Sequence, residues 1–509
     1  MTYSTGIAAS SELAANAAVR LVEQGGNAVD AAIGAALISA ISEPGMVALG
    51  SGGYIVVWPP DGPPVSIDGG VEMPGRGLPQ ERFGRGAEKV HLDYIGGCEA
   101  LVGAGTVATP GTLAAFAEAS RRYGVLPWRE LIQPAIELVR AGFPMGAPSY
   151  RYLSASHELI FGREPQSFAA LHDDDGELLP VGALIHIPEL GDSLELIAME
   201  GVEAFYQGDL AVAIASDIEA ADGILRRADL AAYEARVSEP MAYELGPWQL
   251  ASAAPSAIGG AVLGVMVHRS GELMANDKPW SDDWVRHVVH IQNEVLSFRY
   301  QELDLTPEFS ALARSYFDAA LAGTSTAATD SASTVHNSVA DVSGLSCAIT
   351  ISAGYGSGVM PAGTGIWLNN CLGELELNCT GFHALAPGSR LLSNMAPTVG
   401  RSSTGGILSM GSPGSGRITT AQYQTLINLI LAEWPLDQAI AHPRLHLAHA
   451  GAFPQVHVEP GVKTFTGNLE WKPVERLDTY FGGVGAVRIE NDQIEAARDP
   501  RRSGAVARA

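Results

Sequence analysis

The chain is poor in cysteine and in cations, and it has no apolar run long enough to cross a bilayer. Its four cysteines, Cys98, Cys347, Cys371 and Cys379, form neither a CxxC pair nor a zinc-ligand spacing. A disulfide scaffold and a structural zinc module are therefore excluded, and reduced thiols, as in the cytoplasm, are expected. Lys and Arg number 31 against 56 Asp and Glu, a net charge of −25. No basic cluster offsets that field, so neither nucleic acid nor an anionic membrane is an expected partner. The apolar stretch Ala31–Ile41 falls short of the roughly 20 residues a bilayer requires. The opening MTYSTGIAASSEL has no basic n-region and no apolar h-region. The reading is a cytoplasmic protein, or an exported one if a leader preceded this sequence. No internal repeat is visible.

Hydrophobic residues make up 47% of the chain and charged residues 17%, the composition of a globular protein that can bury a large core. The chemistry concentrates in one stretch, Ser331–Gly358, SASTVHNSVADVSGLSCAITISAGYGSG. Ahead of it and into its start runs a series of small polar residues from Gly323 to Ser333, which reads as an exposed loop. After Thr334, Val335, Asn337 and Val339 alternate with His336, Ser338 and Ala340. A turn around Asp341 and Gly344 then leads to a second strand with Cys347, Ile349 and Ile351. A threonine where a loop meets a strand suits an N-terminal nucleophile, because a free α-amine places a general base beside the hydroxyl. Freeing that amine requires scission between Ser333 and Thr334. The same pattern also fits a plain hairpin after a linker.

Elsewhere the pattern is helical in blocks. Ser10 or Ser11 can cap a helix with Leu13, Ala17 and Leu21 on one face, and Asn27 with Asp30 starts a second helix that Pro44 stops. Gly50, Gly52 and Gly53 precede a strand at Tyr54–Trp58. Residues 59–106 and 144–187 read as irregular, residues 188–223 as helical, and residues 283–302 as one long helix. His287 and His290 on that helix, and His442, His446 and His449, have tempting metal spacing. No carboxylate pattern completes the first set, so both read as structural. Residues 453–490 alternate as strands, and the tail from Arg498 reads as a fraying end. Strands gathered toward both ends, with helices between, argue against a doubly wound sheet.

Four segments, TVHNSVAD (334–341), YGSGVMPAGTGIWLNN (355–370), LLSNMAPT (391–398) and GSPGSGRITT (411–420), resemble, in order, signatures of the γ-glutamyltranspeptidase family. The N-terminal SSELAANAAVRLVEQGGNAVDAAIGAAL and the helices near 108–143 are similar to that family as well. The resemblance implies an N-terminal-nucleophile (Ntn) hydrolase, with two antiparallel sheets between helical layers in a four-layer αββα sandwich. It further implies self-cleavage into a large subunit, 1–333, and a small subunit, 334–509, that together form one structural domain. Thr334 would be the nucleophile, and Gly414 and Ser415 would supply the backbone donors of an oxyanion hole. Ser352 would be a second hydroxyl beside the nucleophile, and His336 a scaffold residue. No cofactor and no metal is implied, and the partner is a small amide substrate.

For the substrate, the sequence departs from the family pattern. The family's carboxylate-gripping arginine is replaced by Gly70 in DGGVEMPG, with Arg76 nearby. The serine pair that shares that carboxylate becomes Ser393-Asn394, and the amine-binding glutamine and aspartate become Cys371 and Glu374. Asn370 closes the LNN motif beside them and is taken as a further substrate-binding residue. The connection from Glu374 to Ser393 is short, which suggests a reduced lid and a more open pocket. Losing a bidentate guanidinium changes what can bind. Three readings follow: an amidohydrolase or acyltransferase on another small acyl-amide, a γ-glutamyl hydrolase or transferase acting on glutathione-like substrates, or an uncleaved, inactive homologue with a binding or scaffold role.

Overall fold

The structure, a computed structural model, describes residues 4–93, 97–274, 277–322, 334–448, 454–466 and 469–509. The loop 323–333, with Ser333, lies outside them, as does His449. The centre of the molecule is a sheet of seven strands in the order Ala505–Arg508, Thr5–Ala9, Val335–Asp341, Ser346–Ser352, Gly52–Trp58, Val65–Gly69 and Arg236–Ser238. Every neighbouring pair is antiparallel. A second antiparallel sheet runs Gln493–Arg498, Gly485–Glu490, Ile407–Gly411, Thr398–Ser402, Trp248–Ser252 and Met241–Leu245.

The two-residue alternation read from the sequence assigns the faces. Val335 and Val339, with Cys347, Ile349 and Ile351, pack into the core shared with the helices Glu12–Glu23 and Ala28–Ser42. On the opposite face Ala8 and Ala340 meet Ile407, Val487 and Ile489 of the second sheet, while Tyr54, Val56 and Ala348 meet Ala251 and Val399. The outer face of the second sheet is covered by Ile258–Leu273, Asp282–Phe298 and Arg417–Ile430. Helix, sheet, sheet, helix is the expected αββα order.

Local signals hold where they were strongest. The Ser11 hydroxyl accepts from the Ala14 N–H at 3.3 Å, and Asn27 and Asp30 complete a capping box. The turn after the Val335–Asp341 strand closes with Gly344 N–H to Asp341 O at 3.1 Å, Gly344 having φ +100°. Gly53 is required by close approach, since a Cβ there would lie 2.5 Å from Ile351 Cγ2 and 2.8 Å from Thr350 O.

Three expectations need correction. Residues 59–106 are not wholly irregular, for Val65–Gly69 is a sheet strand and Glu88–Leu92 pairs with Cys98–Val102. The 144–187 stretch contains the helices Ala147–Leu153 and Pro165–Leu171. The tail does not fray: Ala505–Arg508 pairs with Thr5–Ala9, and the Ser4 N–H donates to Ala509 O at 2.7 Å. Most of these elements are too short for their pattern to announce them, and the tail strand in addition finds its partner only at the other end of the chain.

Arg501 anchors that tail. Fully buried, it donates to Glu459 through Nε at 2.8 Å and to Asp499 Oδ1 at 3.0 Å, while Arg444 pairs with Asp499 Oδ2 at 2.6 Å. Removing one member of a buried ion network leaves another uncompensated. Arg501→Ala is therefore expected to lower unfolding stability by about 3–5 kcal/mol. Urea denaturation followed by tryptophan fluorescence measures this, and a loss below about 1 kcal/mol would contradict the anchoring role.

Candidate active site

Thr334 sits immediately ahead of the Val335–Asp341 strand, which is buried along its whole length. It is not an exposed loop residue, with 4% of its surface accessible. Its place is fixed from behind. His336, two residues on, points toward the second sheet, where its ring lies against Gly411. The His336 imidazole contacts Thr350 Oγ1 at 2.8 Å and Ser338 Oγ at 2.6 Å. Burial pushes its pKa down to about 3, so the ring stays neutral and serves as a brace. On the other face Asn337 accepts from the Ser10 N–H at 3.2 Å and donates to Ser39 Oγ at 3.3 Å.

Two cavities meet at Thr334, and it is the one described residue common to both linings. The narrower, about 40 Å³, brings together Thr334, Ser352, Cys371, Glu374, Ser393, Asn394 and Ser415. Seven of the sequence-identified residues thus converge. Ser352 Oγ accepts from the Gly354 N–H at 3.1 Å. Gly414, with φ +120°, precedes Ser415, with φ +64°. Among the described residues neither the Gly414 nor the Ser415 N–H donates to any acceptor, and the buried Ser415 hydroxyl has no partner. Two unused amides in a tight turn beside a hydroxyl are the arrangement that stabilises an oxyanion.

Asn370 does not join them. Its Oδ1 accepts from the Tyr355 N–H at 2.6 Å and its Nδ2 donates to Leu101 O at 3.1 Å, so its amide braces the loop behind the site. The proposed metal-like histidines are also engaged elsewhere. His287 contacts Asp277 at 2.6 Å, His442 stacks on Trp280, and His446 contacts Thr420 at 3.0 Å.

Comparison with known proteins decides the family. The Gamma-glutamyltranspeptidase family matches residues 14–509. The chain belongs to the γ-glutamyltranspeptidase family. A glutathione hydrolase proenzyme of Pseudomonas aeruginosa is 28% identical over 98% of this chain and 93% of its own. An Acylase ACY 1 proenzyme of Pseudomonas sp. (strain V22) is 28% identical over 85% of this chain and 80% of its own. The crystal structure of a cephalosporin acylase from Bacillus halodurans superposes with a TM-score of 0.79 at 23% identity, covering 99% of this chain and 96% of that one, which supports the fold. The chain is accordingly a γ-glutamyltransferase-like enzyme of the amidohydrolase and acyltransferase type.

The surroundings of Gly70, the position where the resemblance led us to expect an arginine, leave no room for a side chain. A Cβ at Gly70 would overlap the Tyr54 hydroxyl and lie 2.9 Å from Asp68 Oδ1. Tyr54 Oη is fixed by Ser256 Oγ at 2.7 Å, and the Gly70 backbone is held on both sides, N–H to Asp68 at 2.7 Å and C=O from Tyr233 Oη at 2.6 Å. No arginine fits there. Arg76 does not substitute: it pairs with Glu72 at 3.1 Å and Asp229 at 3.4 Å, outside the cavity lining. Arg390, behind Gly70, is consumed by Asp68 at 3.1 Å and Glu72 at 2.5 Å. No Lys, Arg or His side chain lines this cavity among the described residues.

Beside its polar groups, aliphatic side chains line it, including Val71, Leu377, Leu391, Leu392, Met395 and Ile418. Leu377, Leu391 and Leu392 share this lining with Glu374, which is 3% exposed. Burial, reinforced by the charge of Glu376, raises the Glu374 carboxyl well above its usual range, and Cys371 hydrogen-bonds it. The thiol of Cys371 is itself raised by burial and by Glu374. Sequence reasoning missed Tyr54 and the leucines. The signal for Leu391, Leu392 and Met395 was present in LLSNMAPT, whereas Tyr54 looked like an ordinary strand residue.

Gly70→Ala is expected to destabilise the fold by about 1–3 kcal/mol through overpacking against Tyr54. Combined with Tyr54→Phe, which removes the opposing oxygen, the loss should be smaller than the sum of the two single changes. Strict additivity in urea titrations of the four proteins would exclude this contact as the reason for glycine.

Proposed function

We propose that this chain is a self-processing amidohydrolase that transfers an apolar acyl group, one without an α-carboxylate, from an amide to water or to an acceptor amine through Thr334. The supporting observation is a cavity that joins Thr334, Ser352 and the unbonded amide of Ser415 yet, among the described residues, holds no cationic side chain. Burying a carboxylate there without a partner would cost several kcal/mol, whereas a hydrocarbon chain gains from contact with the lining leucines. Acylase proenzymes are among the relatives.

In the proposed sequence the bond between Ser333 and Thr334 is cut, giving subunits 1–333 and 334–509. The Thr334 α-amine then takes the proton from Oγ as Oγ attacks the amide carbonyl. The N–H groups of Gly414 and Ser415 hold the developing oxyanion, a contribution of about 3 kcal/mol per donor. The α-amine returns the proton to the leaving amine, and water or another amine releases the acyl group from the threonine ester. Glu374, Cys371, Ser393 and Asn394 offer polar contacts at the far side of the acyl pocket.

A second reading, a γ-glutamyl hydrolase, is favoured by Glu374 alone, whose carboxyl stands where the family holds an α-amine, and by the glutathione hydrolase relatives. Turnover of hexanoyl and γ-glutamyl anilides and of glutathione separates the two. The hexanoyl amide is expected to be the better substrate by tenfold or more, and a preference for glutathione would replace the first reading with the second.

Thr334→Ala is expected to persist as a single chain on a denaturing gel and to lose turnover by at least 1,000-fold, with stability changed by about 1 kcal/mol. Two bands and retained activity in that variant would exclude Thr334 as nucleophile. Ser415→Gly should relieve the positive-φ strain, worth about 1 kcal/mol in thermal unfolding, and keep activity within tenfold, because the donors there are backbone groups.

A further inference from the structure

The larger cavity on the other side of Thr334, about 350 Å³, is chemically the opposite of the acyl pocket. Arginines line it in a chain whose charge is otherwise strongly acidic. Arg501 is committed to the buried network with Glu459 and Asp499. Arg151, on the helix Ala147–Leu153, and Arg498 are exposed, and neither makes an ion pair among the described residues. Arg502 donates to the carbonyl oxygens of Thr479 at 3.1 Å and Gly482 at 3.4 Å. Two carboxyls line the cavity: Asp499, paired with Arg444 and Arg501, and Glu43. Burial pushes the Glu43 pKa up to about 7, against hydrogen bonds from Ser10 and Ser11 that partly offset the effect.

We infer that this cavity receives the amine half of the substrate and selects an amine that carries a carboxylate, so that the preferred substrates are N-acyl amino acids and related amides of anionic amines. The inference rests on the proposed acyl transfer at Thr334. An amide carbonyl seated at Thr334 has two substituents that must leave in different directions, and two cavities share that residue. One carries aliphatic side chains among its polar groups and, among the described residues, no cation. The other offers more guanidinium than carboxylate, in the fork geometry suited to a carboxylate ligand. Polarity is thereby assigned along the substrate: hydrocarbon on the acyl side, anion on the amine side. The field of these arginines also opposes the general negative field of the surface, so an anionic substrate is drawn to this mouth in particular.

The test uses processed wild-type enzyme and two amides of the same acyl group, N-hexanoyl-4-aminobenzoate and N-hexanoyl-4-aminobenzamide. The carboxylate is expected to have at least a tenfold higher kcat/KM at low salt, with the advantage shrinking as NaCl is raised. In Arg151→Gln/Arg498→Gln the ratio should fall to within threefold of unity. Equal turnover of both amides by wild type, or an unchanged ratio in the double variant, would overturn the inference while leaving acyl transfer at Thr334 standing. If neither amide is cleaved, the acyl-group reading fails, and calorimetric binding of the amines alone decides the cavity. Binding of 4-aminobenzoate but not 4-aminobenzamide, lost in the double variant, supports it; no difference between the two overturns it.

Discussion

The arrangement of this site depends on a strand that has no free face. Val335–Asp341 is paired on both edges, with Thr5–Ala9 on one side and Ser346–Ser352 on the other. It is packed by helices above and by a second sheet below. A slip of one residue would turn Val335 and Val339 toward the second sheet and His336 toward the helices, exchanging every contact at once. Thr334 is therefore placed by seven residues that follow it, and the polar braces at His336 and Asn337 remove what freedom remains. A reactive group on so rigid a support can be held to the geometry that acyl transfer demands.

The absence of a cation from the narrower cavity, among the described residues, follows from a competition for space and charge around Gly70. The sheet positions Tyr54 so that its hydroxyl fills the volume a side chain at 70 would need. The nearby carboxylates of Asp68 and Glu72 are satisfied by Arg390, Arg76 and Arg236. Those arginines are held outside the cavity by their own partners, since releasing one would strand a buried carboxylate. The lack of a cation there is thus a property of a whole network and not of one residue. Restoring an arginine at position 70 would first require dismantling the tyrosine and the ion pairs behind it.

Legibility of the fold varied with the range of the interactions involved. The hairpin around Asp341 and Gly344 and the capping box at Asn27 and Asp30 are local, and alternation or cap chemistry announces them. Ala505–Arg508 is not local: it is a four-residue segment that becomes a strand because Thr5–Ala9 offers unpaired backbone, while Val65–Gly69 pairs with the neighbouring Gly52–Trp58 but is too short to announce itself. The candidate site divides in the same way. Thr334, Ser352, Gly414 and Ser415 lie in motifs with recognisable small residues and turns. Asn370 lies in one as well, yet its amide is consumed by Tyr355 and Leu101, which motif position alone does not reveal.

The sequence by itself determined the hairpin that carries Thr334, the capped helices that cover it and the glycine at position 70. These are written in short-range pattern, where each residue's neighbours along the chain supply the physical cause. Tertiary structure alone decided that Tyr54 closes the space beside Gly70, that Arg390 is spent on Asp68 and Glu72, and that Arg151 and Arg498 open onto a cavity shared with Thr334. Those outcomes depend on groups from different strands, helices and loops being brought within hydrogen-bonding or packing distance, and on which charge finds a partner first when water is excluded.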